Sequence, residues 1–78
     1  MKKSDVQPGI YEHFKGKRYE VISTAYHSET LEEFVVYRAL YESPEFGMNA
    51  LWVRPKTIFL ETVERDGKIM PRFRFVRE

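Results

Sequence analysis

The sequence contains no cysteine, only two histidines and one tryptophan, and no long apolar run. Without cysteine there is no disulfide and no thiolate, which excludes zinc ribbons, redox motifs and thiol nucleophiles. The 13 basic side chains nearly balance the 12 acidic ones, so no strong basic field exists to hold a nucleic-acid backbone. No segment is long enough to span a bilayer, and Met1-Lys2-Lys3 lacks the apolar run of a signal peptide. These absences predict a cytoplasmic protein with no membrane partner.

Aromatic residues are abundant for a chain of 78 residues, with six Phe and five Tyr beside the single Trp. A chain of this length forms one domain, and large rings let a small domain build a core without disulfides. Residues 1–8 are polar and end in Pro8-Gly9, which predicts a flexible N-terminal leader. Residues 9–78 are then a single domain.

Short alternating segments separated by turn residues predict a chain of β-strands. The predicted strands are Ile10–Phe14, Arg18–His27, Phe34–Tyr41, Ala50–Arg54, Leu60–Arg65 and Lys68–Val76. Asp66-Gly67 is the sharpest hairpin signal, and Pro55 favours one short helical turn after the fourth strand. We therefore expect a mainly β fold, a small SH3-like antiparallel barrel of five or six short strands.

Three details of these strands follow from the pattern. In the second strand the inward positions should be Tyr19, Val21, Ser23 and Ala25, although Ile22 and Tyr26 break the alternation. The third strand is apolar on both faces, which is typical of a strand inside a sheet. Around the Lys15-Gly16-Lys17 turn, the pairing should place His13 opposite Tyr19. Residues 42–49 contain Ser43-Pro44 and Phe46-Gly47 and are expected to be a loop.

The sequence resembles the signature of a small bacterial family catalogued as a domain of unknown function. The matching residues are Gly9-x-Tyr11-x-His13-Phe14-Lys15-Gly16-x-x-Tyr19, Ala25-x-His27-Ser28-Glu29-Thr30, Val35-Val36-Tyr37-x-x-Leu40-Tyr41, Leu51-Trp52-Val53-Arg54-Pro55, Phe59 and Pro71-Arg72-Phe73. The resemblance implies an SH3-like barrel, and it implies no activity, cofactor or catalytic residue. The segment from Glu42 to Asn49 is longer than the family pattern leads us to expect.

No catalytic constellation stands out among the polar residues. His13, His27 and Glu29, with Glu61, are the one route to a metal site, but a metal needs three or four ligands in one place. Ser28 follows His27 directly, whereas activation of a nucleophile needs a spatial hydrogen bond and an orienting third group. The simpler interpretation is that this segment closes a β-turn. The sequence thus predicts no metal ion and no cofactor, and an enzyme is the less favoured class.

Aromatic and arginine side chains are the better candidates for a functional surface, because so small a domain cannot bury twelve rings completely. The candidate binding residues are Tyr11, His13, His27, Ser28, Glu29, Tyr37, Trp52, Arg54 and Arg72, with Tyr26 and Tyr41 as further exposed rings. The alternative is that most of these rings are core and that Arg54 pairs with a nearby glutamate.

Two functions are therefore compared. The first is a binding module that uses an exposed aromatic–arginine surface for a protein, a peptide or, with less support, a single-stranded nucleic acid. The second is a small hydrolase or metal-dependent accessory domain built on His13, His27 and Glu29. Self-association through an exposed strand edge, with Pro71 and outward arginines on the last strand, is a third expectation.

Overall fold

The computed structural model describes residues 6–78 and consists almost entirely of antiparallel strands. The elements are β1 (Gly9–His13), β2 (Arg18–Tyr26), β3 (Glu33–Ala39), β4 (Glu42–Ser43), β5 (Gly47–Met48), β6 (Leu51–Pro55), α1 (Lys56–Phe59), β7 (Thr62–Arg65), β8 (Lys68–Pro71) and β9 (Phe73–Arg77). The mainly β class and the short helical turn after Pro55 are thus confirmed.

Five strands form the main sheet in the order β6-β3-β2-β1-β9, and two small hairpins, β4-β5 and β7-β8, extend from it. β3 pairs on both sides, as its apolar character on both faces predicts. The hairpin β7-β8 turns at Asp66-Gly67, with Arg65 opposite Lys68, so this two-residue turn is confirmed. β6 and β9 are the edges of the main sheet.

The face assignment predicted for the second half of β2 is wrong. A β-bulge at Ile22 shifts the register between Val21 and Ser23. Beyond the bulge Thr24 lies opposite the buried Val35, whereas Ser23 lies opposite Val36 on the other face. The extra residue therefore moves the even positions to the inner face, which also explains why Ile22 breaks the alternation.

The predicted pairing around the first turn is also wrong, by two residues. Tyr11, not His13, lies opposite Tyr19. The turn is longer than the sequence indicates, because the amide of His13 donates to the carbonyl of Lys17 at 2.8 Å and the amide of Gly16 donates to His13 at 2.7 Å. His13 consequently lies at the end of the hairpin, and its strand partner is Phe73.

The predicted last strand is divided into two. Pro71 ends β8, where it has no amide hydrogen to donate, and Arg72 interrupts the ladder. The amide of Arg72 donates to Glu61 at 2.9 Å and its carbonyl accepts from Phe14 at 3.0 Å, so the chain changes partners here. β9 then pairs with β1 instead of continuing the hairpin.

The core lies between the inner face of the sheet and α1. Its buried side chains are Val6, Tyr11, Val21, Val35, Tyr37, Phe59 and Phe73. Most of the predicted leader, residues 1–5, lies outside the described residues. Val6 is part of this core, and the carbonyl of Gln7 accepts a hydrogen bond from the Tyr11 hydroxyl at 2.7 Å. The packed part of the chain therefore begins before Gly9.

Within residues 6–78, no helix has the length and apolar character needed to cross a membrane. The one helix present, α1, has four residues. Its last residue, Phe59, is buried, so this short turn serves to place one large ring against the sheet.

Candidate functional site

A cleft on the inner face combines side chains from three strands and one loop. Strand pairing places Trp52 opposite Tyr37 and Arg54 opposite Val35. Because side chains alternate along a strand, Trp52 and Arg54 share the inner face with the core residue Tyr37. Two further rings complete what we call the aromatic cleft, which is lined by Tyr19, Tyr37, Tyr41, Trp52 and Arg54. Its volume is about 220 Å³.

Two tyrosines form one wall of the aromatic cleft. The hydroxyls of Tyr19 and Tyr41 share a hydrogen bond of 2.8 Å, and their rings meet edge to face with centroids 5.6 Å apart. Tyr19 also contacts the ring of Tyr37 edge to face at 5.3 Å. Burial, followed by the hydrogen bond to Tyr41, raises the pKa of Tyr19. The Tyr19 phenol therefore stays neutral at physiological pH and can donate as well as accept hydrogen bonds.

Arg54 provides the positive charge of the cleft. Its Nε donates to the Tyr37 hydroxyl at 3.2 Å, and its guanidinium carbon lies 5.6 Å from the centroid of the Phe73 ring. Among residues 6–78, no carboxylate lies within 4.0 Å of this guanidinium, so the predicted alternative of an Arg54–glutamate pair is wrong. A half-buried arginine held by a ring and a hydroxyl can bind an external acceptor with its remaining N–H groups.

The surroundings of the cleft are also cationic. The ammonium of Lys17 lies 4.5 Å from the centroid of the Tyr41 ring, on the turn beside the cleft. His13 contacts Tyr19 and Phe73. Burial, followed by the charges of Arg72, Arg54 and Lys15, lowers the pKa of His13. These charges make the region around the cleft favourable for an anion.

Phe46 is a functional candidate that the sequence analysis missed. It lies on the β4-β5 hairpin, and its ring meets Trp52 edge to face at 5.2 Å with an interplanar angle of 85°. Phe46 is 58% exposed and Trp52 is 37% exposed. The segment was expected to be a loop, but the amides of Glu45 and Phe46 donate to the Ser43 hydroxyl and shape a small hairpin. The only sequence signal was an apolar ring in a polar turn segment.

The structure brings together some of the predicted site residues. Tyr37, Trp52 and Arg54 line the aromatic cleft, and His13 lies beside it through Tyr19. Tyr11 instead belongs to the core, where its ring contacts Phe59 and Phe75, and Tyr37 is buried as well, so the predicted exposure of these two rings is wrong.

Arg72 does not face the cleft with a free charge. Its guanidinium donates to the carboxylate of Glu61 at 3.2 Å. Its Nε is buried and has no hydrogen-bond partner among the described residues. Arg72 is therefore an ion-paired cation whose charge, after burial, contributes to the lowered pKa of His13.

The remaining predicted residues, His27, Ser28 and Glu29, lie at the opposite end of β2. The Nδ1 of His27 accepts hydrogen bonds from the amides of Glu29 and Thr30 at 3.2 and 3.3 Å, which is the arrangement of a closed turn. Because β2 spans about 26 Å at the usual rise per residue, His13 and His27 cannot share a ligand. In the part of the chain that the structure describes, no group of three His, Asp or Glu residues could hold a metal ion.

Tyr26, the other ring expected to be exposed, also lies at this far end of β2 and is 68% exposed. It lies apart from the cleft.

Comparison with known proteins gives a family but no activity. A crystal structure of a protein from Bordetella bronchiseptica that belongs to DUF1653 is 38% identical to this chain, with a TM-score of 0.81. The alignment covers 92% of this chain and 88% of that one. The comparison with curated proteins found no match. The model of the DUF1653 family, described as a protein of unknown function, matches residues 9–75, and the chain therefore belongs to this family.

Proposed function

We propose that this domain is a binding module that holds an extended peptide segment of a partner protein in the aromatic cleft. The observation that carries the proposal is the environment of Arg54. A guanidinium with no carboxylate partner among residues 6–78 faces a cleft of about 220 Å³ with aromatic walls. A few oriented polar groups within aromatic walls are typical of ligand sites.

The edge strand β6 supports a peptide as the ligand. β6 carries Trp52 and Arg54 and pairs only with β3 in the main sheet. Because the amide of Ala39 donates to Ala50, the alternation of an antiparallel ladder directs the backbone groups of Leu51 and Val53 to the unpaired side. An extended peptide can add to such an edge through its main chain while its side chains enter neighbouring pockets.

The arrangement of the sheet also fits an SH3-like roll. β9 returns to pair with β1, and the short helix α1 precedes the hairpin that leads to β9. Aromatic grooves on small rolls of this kind recognise extended peptides. No observation in the structure favours the hydrolase or metal-dependent alternative, because the residues proposed for it lie at opposite ends of β2.

The proposal is tested by selection from a phage-displayed library of random peptides on the immobilised domain. We expect wild type to enrich a group of related peptides and the Trp52→Ala and Arg54→Gln variants to lose that enrichment. Arg77→Gln is the matched control, because Arg77 is exposed on the opposite edge strand β9. Circular dichroism would establish that each variant is folded. Failure of wild type to enrich any peptide, or equal enrichment by Trp52→Ala, would contradict the proposal.

A further inference from the structure

We infer that the peptide carries an acidic side chain that binds Arg54 and an apolar side chain, two residues away, that packs on Trp52 and Phe46. The inference rests on the proposed function and specifies the ligand that the same cleft selects. Four features carry it: the hydrogen-bonding groups of the cleft, the spacing of residues along β6, the apolar rings beside Trp52, and the pairing of other cations.

The groups that line the cleft favour an acceptor. The Tyr37 hydroxyl already accepts from Arg54, so its own O–H remains able to donate. Of the two hydroxyls in the Tyr19–Tyr41 hydrogen bond, one uses its proton in that bond and the other keeps a proton for a ligand. Among the residues that the structure describes, no acidic side chain lines the cleft. Phenol and guanidinium donors that converge in this way fit a carboxylate, and the planar guanidinium can bind both of its oxygens.

The spacing along β6 determines the order of the ligand's side chains. Trp52 and Arg54 are two residues apart, so they project from the same face of the strand. A peptide strand added to the edge of β6 has the same period of two. Its side chains that face Trp52 and Arg54 are therefore separated by one intervening residue, and adjacent residues cannot reach both.

The position beside Trp52 is apolar. Phe46 meets Trp52 edge to face, and Met48 on the same hairpin is 60% exposed. An aliphatic or proline side chain in the angle between the two rings would remove apolar surface from water on both partners. The β4-β5 hairpin thus supplies the second half of the recognition site.

The other cations favour one carboxylate over a nucleic-acid backbone. Arg38 pairs with Glu20, Arg72 with Glu61, Arg74 with Glu12, and Lys56 with Glu33. These four cations are therefore already neutralised by carboxylates of the domain. Proteins that bind nucleic acids through phosphates commonly neutralise about six to ten of them. Arg54 with Lys17 nearby suits a single negative group.

The test uses short peptides without tryptophan, blocked at both ends, in a threonine–serine background. The parent peptide carries one glutamate and one leucine separated by a single residue. In two variants of this peptide glutamine or lysine replaces the glutamate, and in a third variant the glutamate and the leucine are adjacent. Binding is followed by the fluorescence of Trp52, the one tryptophan of the chain. We expect glutamine to weaken binding about tenfold, lysine to weaken it further, and the adjacent arrangement to bind more weakly than the parent.

A charge reversal on the protein tests the same contact from the other side. Arg54→Glu should prefer the lysine peptide to the glutamate peptide, whereas Arg77→Glu, the matched reversal on β9, should keep the wild-type order. Should Arg54→Glu fail to fold by circular dichroism, the peptide series on wild type still decides the question. A single-stranded oligothymidine is the nucleic-acid probe, and its binding should be weaker than that of the parent peptide.

The outcomes separate this inference from the proposed function. Peptides that bind wild type equally with glutamate, glutamine and lysine would overturn the acidic contact and leave the peptide-binding function intact. Tighter binding of the oligothymidine than of the parent peptide would also overturn it. If neither the library nor the parent peptide binds, the proposed function fails, and the inference fails with it.

Discussion

The ring of Phe59 lies flat on the ring of Phe73, with centroids 4.4 Å apart and 4° between the planes. The first residue ends the short helix α1 and the second begins β9, so this contact fixes the segment that crosses from one edge of the sheet to the other. Both rings are buried, and Tyr11 and Tyr37 surround Phe59. The stack therefore joins α1 to β9 beneath the aromatic cleft.

Replacement of Phe59 by alanine should strongly destabilise the domain. Loss of a buried phenylalanine costs about 3–5 kcal/mol, and a domain of this length has a total unfolding free energy of about 4–12 kcal/mol. The neighbouring Ile58, which is 38% exposed, provides the control, and Ile58→Ala should cost less than about 1 kcal/mol. Urea denaturation followed by circular dichroism measures both. Similar losses for the two variants would show that the stack does not organise the core.

Gly9→Ala should destabilise the domain more than Gly16→Ala. Gly9 has φ +144°, and a Cβ there would lie 2.6 Å from the carbonyl oxygen of Arg77 and 2.9 Å from the ring of Phe75. The first clash is with backbone, so β1 and β9 must separate, at a cost of roughly 2 kcal/mol or more. Gly16 has φ +105° but open space around it, so only the backbone preference of about 1 kcal/mol is lost. Equal urea midpoints for the two variants would contradict the close approach at Gly9.

The hydrogen bond between Tyr19 and Tyr41 should appear as coupling between two substitutions. Tyr19→Phe and Tyr41→Phe each remove the same bond of 2.8 Å and should each cost about 0.5–1.5 kcal/mol. The double variant should cost clearly less than the sum of the two, because the bond can be lost only once. The measurement is a double-mutant cycle on the unfolding free energy in urea. Strict additivity would mean that the hydroxyls do not interact in solution.

Stability should fall as the solution becomes mildly acidic, in part because of His13. Burial and the charges of Arg72, Arg54 and Lys15 hold the pKa of His13 below its unfolded value of 6.5, so the unfolded chain binds the proton more readily. Above about pH 6.5 His13 is neutral in both states and costs no stability. As the pH falls below this value, the unfolded chain takes up the proton first, and the free energy of unfolding decreases. His13→Gln should reduce the decline measured by urea denaturation between about pH 7.5 and 5.5. An NMR titration of His13 at or above the ordinary value would contradict this assignment.

Several elements of the fold could be predicted because they depend on neighbouring residues. Asp66-Gly67 specifies a two-residue hairpin wherever the rest of the chain lies, and Pro55 marks the start of α1. The register of β2 could not be predicted in the same way. Its bulge at Ile22 follows from pairing with β3, in which Tyr37 and Val35 must both face the core on either side of the extra residue.

The candidate site was predicted in part. The sequence singled out Tyr37, Trp52 and Arg54 as residue types suited to a binding surface, and these three line one cleft. It could not show that the rings of Tyr11 and Tyr37 are covered whereas that of Trp52 is partly exposed, because burial of a strand residue depends on what packs against it. Phe46 was missed because its role depends on the hairpin that carries it to Trp52.

The sequence by itself determined the class of the fold and the kinds of side chain available to it, since period-two alternation and turn residues act over a few positions. Tertiary structure alone decided which rings are covered and which charges stay unpaired. Phe73 reaches His13 and Phe59 only through the return of β9 to β1. Among residues 6–78, Glu33 pairs with Lys56 and Glu61 with Arg72, and Arg54 has no carboxylate partner. Such contacts join residues far apart in the chain, so they follow from the packing of the whole sheet and from no local pattern.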